Sequence, residues 1–134
     1  MKSILLLSFL FLATCFIAFG QKKQPEKSEK GLIKISILYP YAEGKTFNME
    51  YYETKHMPMV AGYLGSNLVK YTIEKGVSGG APDQSLPFMA VGTFYVKNLS
   101  EYQAAIAPNI GAIRADFANY TNAVPTIFVS EVIK

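Results

Sequence analysis

Tryptophan is absent from this chain of 134 residues, cysteine and histidine occur once each, and only 17% of residues are charged. Each scarcity removes a class of function. With one histidine, one cysteine and no clustered acids, a dedicated transition-metal centre lacks its ligands, so no metal is expected. The glycine-rich stretch Gly76-Val77-Ser78-Gly79-Gly80 has neither a lysine nor a following helix. Phosphate and nicotinamide binding of the P-loop or Rossmann kind therefore has no support, and no cofactor is expected. No serine sits in a recognisable nucleophile turn. The formal charge of +3 arises before Gly31, where Lys2, Lys22, Lys23, Lys27 and Lys30 outnumber Glu26 and Glu29. From Gly31 onward seven lysines and Arg114 balance eight acids. A neutral domain has no basic stripe for nucleic acid.

What the chain does have is apolar side chains, half of all residues, with an aromatic share made up of Tyr and Phe. That is enough for a core without disulfide staples, and the length suits one domain of ~100–150 residues. Met1 to Gly20 carries Lys2, an apolar run from Ile4 to Phe19, and the small residues Ala18 and Gly20. This order reads as a secretory signal peptide cut between Gly20 and Gln21. The run falls short of the ~20 residues of a membrane span, so no stable membrane insertion is expected after cleavage. The alternative is a lipoprotein, because Leu12-Ala13-Thr14-Cys15 resembles a lipidation box. Thr14 and the apolar stretch after Cys15 depart from that pattern. The cut after Gly20 leaves a mature chain without cysteine, which excludes disulfides and thiolate chemistry. Gln21 to Lys30 reads as a flexible tether, and Gly31 to Lys134 as the domain. The expected location is the periplasm or the cell exterior.

Leu32 to Tyr39 alternates with a period of two, placing Ile33, Ile35, Ile37 and Tyr39 on one face, and predicts a strand ended by Pro40. Asn48 is a good N-cap for a helix running to about His56, with Phe47 and Tyr52 as a hydrophobic staple. Met49, Tyr52, His56, Val60 and Tyr63 form its apolar stripe, and Pro58 predicts a kink or fresh start near Met57. Asn67 to Lys75 reads as a half-buried strand, Gly76 to Pro87 as a mobile loop, and Phe88 to Val96 as the central strand. Gly92 there marks a bulge or a close approach. Ser100 is expected to cap a helix that Pro108 interrupts and that resumes through Ile110, Ile113 and Phe117. A last strand runs from Thr126 to Ile133. Two strand-helix-strand units predict an α+β, ferredoxin-like fold with a four-stranded antiparallel sheet and both helices on one face. The other face, with Tyr71, Met89, Val91 and Tyr95 or their neighbours, invites a homodimer.

The stretch from Thr46 to Met59 (TFNMEYYETKHMPM) resembles the signature of the EthD family, a Phe-Asx, Tyr-Tyr, His-x-Pro-Leu pattern. Asp116 to Pro125 (DFANYTNAVP) resembles the second signature of that family, and Val129 to Val132 its last strand. The resemblance implies a dimeric α+β barrel with a pocket between sheet and helices in each subunit. It also implies a reductase label, an accessory role in ether degradation beside a cytochrome monooxygenase system, and kinship of fold with isomerases, polyketide-tailoring enzymes and monooxygenases. Met59 replaces the usual Leu and Asn122 a common Asp, and the leader is a further departure.

His56 and Tyr52 are the candidate catalytic residues, one helical turn apart. Imidazole titrates near neutral pH and suits proton transfer; the alternative is a core histidine bonded to backbone or to Tyr52. Tyr51, Met59 and Tyr120 are the candidate substrate contacts, although the aromatic bodies of tyrosines commonly serve packing. Glu74 and Glu131 would be noteworthy only if turned inward. The expected partner is a small apolar organic ligand, aromatic or polyketide-like. The function is proton-transfer chemistry or an accessory to a reductase or oxygenase, the alternatives being a non-catalytic carrier or a dimerisation module.

Overall fold

The computed structural model describes residues 28–134. The leader, Cys15 and most of the tether lie outside them. Four strands, β1 (Ile33–Pro40), β2 (Leu68–Lys75), β3 (Phe88–Val96) and β4 (Thr126–Glu131), form one sheet in the order β2-β3-β1-β4 with every neighbouring pair antiparallel. This is the ferredoxin-like α+β plan. Strand pairing explains the order: each crossover skips a position, so β1 and β3, the most buried strands, end in the centre.

The first helical region comprises α1 (Met49–Tyr51), a π-helical turn (Tyr52–His56) and α2 (Met57–Leu64). Asn48 caps it, its Oδ1 accepting the Tyr51 N–H at 3.1 Å, and the rings of Phe47 and Tyr52 meet at 5.0 Å as a staple. The helix does not break at Pro58. Proline lacks the N–H that would bond the Thr54 carbonyl, and the chain takes up the misfit by widening one turn, with the Met57 N–H donating to the Tyr52 carbonyl five residues back. Regular α-geometry then starts afresh at Met57.

The second region comprises α3 (Leu99–Ile106), a short turn at Pro108 and α4 (Ile110–Asp116). Its cap is Asn98, not Ser100. Asn98 Oδ1 accepts the Glu101 N–H at 3.1 Å, and the Ser100 hydroxyl donates to the same oxygen. Asn98 leaves the strand extended, so its side chain reaches back over the first turn, whereas Ser100 is already inside it. No side chain of α3 is fully buried, and Ile113 is the buried residue of α4. This layer rests lightly on the sheet, and space remains beneath it.

Ile35, Ile37 and Tyr39 of β1 face the helices with Ala90, Gly92 and Phe94 of β3, as their register requires. Gly92 marks a close approach: a Cβ there would stand 2.0 Å from the Tyr52 hydroxyl oxygen. Tyr71 belongs to this face as well, paired with Phe94, and not with Met89, Val91 and Tyr95. An irregularity between Leu68 and Lys70 shifts the register and reverses the parity read from the sequence. The outer face is mixed rather than bare and apolar. Lys34 and Lys70 approach the Tyr95 ring at 5.7 and 4.5 Å, and the Thr93 hydroxyl donates to Ser36. Among the described residues no helix is long and apolar enough to cross a membrane.

Candidate functional site

Three parts of the chain, β1, the first helical region and the stretch from Asp116 to Tyr120, bring polar side chains to one place. Tyr39 ends the inward parity of β1. Tyr52 and His56 stand on either end of the widened turn, their rings stacked with centroids 5.5 Å apart. Tyr120 is delivered by the chain running into β4: the Asn48 N–H donates to its carbonyl at 2.7 Å, and Phe47 bridges Thr121. Asn122 fastens the same junction, accepting from the Thr46 N–H and donating to the Gly44 carbonyl, both at 2.9 Å. An aspartate at that position could accept but not donate. Asp116 closes α4.

The resulting network is continuous. His56 Nδ1 lies 2.8 Å from Asp116 Oδ2, and His56 Nε2 lies 3.2 Å from the Tyr120 hydroxyl. That hydroxyl is 2.8 Å from the hydroxyl of Tyr39. Asp116 Oδ1 also accepts from the Tyr51 hydroxyl at 2.8 Å and from Asn119 Nδ2 at 2.9 Å. A carboxylate can only accept, so the proton-bearing nitrogen of the neutral ring is Nδ1. Nε2 then accepts from Tyr120, and Tyr120 accepts from Tyr39.

The electrostatics favour the same arrangement. Burial holds the His56 pKa below 6.5, outweighing the upward pull of its bond to Asp116. Burial raises the Asp116 carboxyl, but the bonds from His56, Asn119 and Tyr51 outweigh it and hold its pKa below 3.8. Burial pushes the phenols of Tyr39, Tyr52 and Tyr120 upward, keeping them protonated. A neutral imidazole beside an ionised carboxylate is a competent base at neutral pH.

These shifts have a measurable consequence for stability. Below pH 6.5 the unfolded chain takes up a proton on His56 that the folded chain resists, so stability falls as pH drops through that range. Asp116 acts in the same direction at lower pH, since its contribution is lost as pH falls through its depressed folded pKa. Melting temperatures between pH 8 and 5 are expected to start falling as pH drops below about 6.5, the ordinary histidine value, and to go on falling towards the lower folded pKa of His56. In His56→Gln this decline should vanish, because the sequence has no other histidine. A flat profile in the unaltered protein would contradict the buried neutral ring.

Beside the network lies a cavity of about 420 Å³ between the sheet and the helical layer. His56, Tyr52 and Tyr39 form part of its wall, with Met57, Phe94 and Phe117 among the apolar contributors. This size falls in the ~300–1,000 Å³ range of small-molecule sites. His56 and Tyr52, singled out from the sequence, therefore meet at the wall. Tyr51 and Tyr120 do not line this cavity and belong instead to the hydrogen-bond network; Tyr120 also borders a second cavity of about 330 Å³. Met59 lies off the wall and packs, half-buried, on the core. Glu74 and Glu131 are exposed. Asp116, Tyr39 and Arg114 carry site positions that sequence reasoning passed over. Asp116 and Tyr120 sat together in the second family signature, a usable hint that the segment approaches His56.

The EthD domain model matches residues 45–123, a span that contains Tyr52, His56, Asp116 and Tyr120. An EthD-like protein from Ralstonia eutropha is 39% identical, with a TM-score of 0.74 over 78% of this chain and 95% of that one. An EthD family protein from Bacillus halodurans, 19% identical, gives a TM-score of 0.56 over 76% of this chain and 99% of its own. HapK from Hahella chejuensis, 11% identical, gives 0.51 over 75% and 92%. The last two are likenesses of fold. No curated protein matches the chain.

Proposed function

The chain belongs to the EthD family, and from that premise we propose that it holds a small, largely apolar organic molecule in the cavity between sheet and helices, with His56 moving a proton to or from it. The observation that carries this reading is the single histidine in the wall of an apolar cavity, oriented from behind by an ionised Asp116. An imidazole so held can take a proton at Nε2 when the Tyr120 hydroxyl, which donates to that nitrogen at rest, gives way to the ligand, and the carboxylate stabilises the imidazolium that forms. Tyr52, stacked on the ring, fixes its plane. Tyr51 and Asn119 act through Asp116, and Tyr120 through the far nitrogen.

A carrier without catalysis is the second reading. It draws support from the fact that both ring nitrogens already have partners, Asp116 and the Tyr120 hydroxyl. A dimerisation module without a ligand draws none, because the core leaves this cavity unfilled. We further propose that the protein is exported, begins at Gln21, and pairs through the outer sheet face around Met89, Val91 and Tyr95.

Native mass spectrometry of the protein from its own host tests these points together. The expected spectrum shows a dimer of chains starting at Gln21, with added mass that dissociates as a small organic molecule. A mass retaining Cys15 with acyl chains would show lipidation instead, and a soluble monomer would defeat the dimer. An empty protein that also binds no apolar probe in solution would defeat the ligand reading.

A further inference from the structure

One charged side chain borders the cavity. Arg114 stands on the same face of α4 as Ile110, Ile113 and Phe117, all of which contribute to the wall. No Asp or Glu contributes to that wall, and among the described residues the Arg114 side chain has no hydrogen bond or ion pair. It is itself exposed, which places it at the mouth rather than the floor. Phe117, one turn further along, meets the His56 ring edge-on with centroids 5.6 Å apart. The cavity is thus apolar within, cationic at its rim, and bounded on its inner wall by a proton-accepting ring.

We propose that the ligand is an organic acid, an apolar body bearing one carboxylate, with Arg114 binding the carboxylate at the mouth. The guanidinium is always charged, and its planar fork matches a carboxylate with two parallel hydrogen bonds. A neutral apolar molecule would give it no partner. The carboxylate needs no desolvation beyond the rim, so the ion pair forms where water still reaches, and the body enters towards Phe117 and His56. Such a head fixes which end of the ligand faces the imidazole, and so makes Arg114 a specificity-determining residue. The inference rests on the cavity reading above and adds the charge of the ligand to it.

Naphthalene-2-carboxylate and naphthalene-2-carboxamide, which share a body and differ in charge, separate the two claims. Calorimetric titration of the full mature chain at pH 7.5 is expected to show the carboxylate binding at least tenfold more tightly, with a preference that shrinks as salt is added. Arg114→Gln should abolish the preference by weakening the carboxylate and leaving the amide unchanged, and Arg114→Lys should keep part of it. Equal binding of both probes to the unaltered protein, or a preference that survives Arg114→Gln, overturns the role of Arg114 while leaving the apolar cavity in place. Binding of neither probe overturns both.

Discussion

Replacing His56 with Gln is expected to leave the fold and the apolar cavity in place and to lower turnover of the eventual substrate by ~10²–10⁴-fold, the usual contribution of a general acid or base. Glutamine can still donate to Asp116 from its amide, so the ionised carboxylate keeps a partner. What it cannot do is hold a proton between two states near neutral pH. The same variant tests the structural alternative. If the imidazole serves only to satisfy Asp116 and Tyr120, the substitution instead lowers stability by ~1–3 kcal/mol through a poorly met buried group. Urea denaturation and a rate assay on one preparation distinguish the two. Early unfolding, or full activity, would move the protein to the carrier reading.

Gly92→Ala is expected to disrupt the domain at the site itself. The added carbon would stand 2.0 Å from the Tyr52 hydroxyl oxygen, 3.0 Å from the ring carbon bearing it and 3.1 Å from the Met57 sulfur. Tyr52 and Met57 are each 1% exposed, so room for the methyl comes only from displacing them towards the cavity they line. Overpacking of this kind costs ~1–3 kcal/mol, and denaturant midpoints should show it. The effect should not stop at stability, because Tyr52 is stacked on His56 and pushing one ring moves the other. Tyr52→Phe in the Gly92→Ala background removes the atom in collision and should restore part of the loss. The two changes are in contact, so they are expected to be non-additive. Additive losses would mean that the strand, rather than the tyrosine, yields.

The strands and both helical regions were legible in the sequence because their signals are local. Alternation in Leu32 to Tyr39, the Asn48 cap with its Phe47 and Tyr52 staple, and the uninterrupted apolar run of β3 each act within a few residues. The places where reading failed depend on partners elsewhere. The irregularity near Val69 carries no turn residue, yet it moves Tyr71 to the helix face because Leu68 must meet Val96 and Tyr71 must meet Phe94. Asn98 outcompetes Ser100 as a cap partly because its backbone is already held by Asn67, whose Oδ1 accepts the Asn98 N–H at 2.9 Å.

The site follows the same rule. His56 and Tyr52 could be found because a lone histidine one turn from a tyrosine on an apolar stripe stands out within the helix itself. Asp116 could not be tied to them by spacing, since sixty residues separate it from His56. Tyr39 looked like an ordinary core residue at the end of a strand. Its meaning comes from Tyr120, eighty-one residues later, and from the Phe47 and Thr121 bridge that holds Tyr120 there. Arg114 looked like one more charge in a neutral domain until the face of α4 it shares with Ile110 and Phe117 proved to border a cavity.

Because the sequence contains a single histidine, the imidazole nitrogens give one set of resonances, and a long-range proton-nitrogen NMR spectrum reads the centre of this account without ambiguity. In the ligand-free protein at pH 7.5 the spectrum is predicted to show a neutral ring protonated at Nδ1, with Nε2 as a hydrogen-bonded acceptor. Saturation with naphthalene-2-carboxamide, which fills the cavity without bringing a charge, is predicted to shift the Nε2 resonance while Nδ1 keeps its proton and its bond to Asp116. A ring protonated on both nitrogens at that pH, or an Nε2 resonance that stays in place while the probe is demonstrably bound, would contradict the claim that His56 faces the ligand as a base.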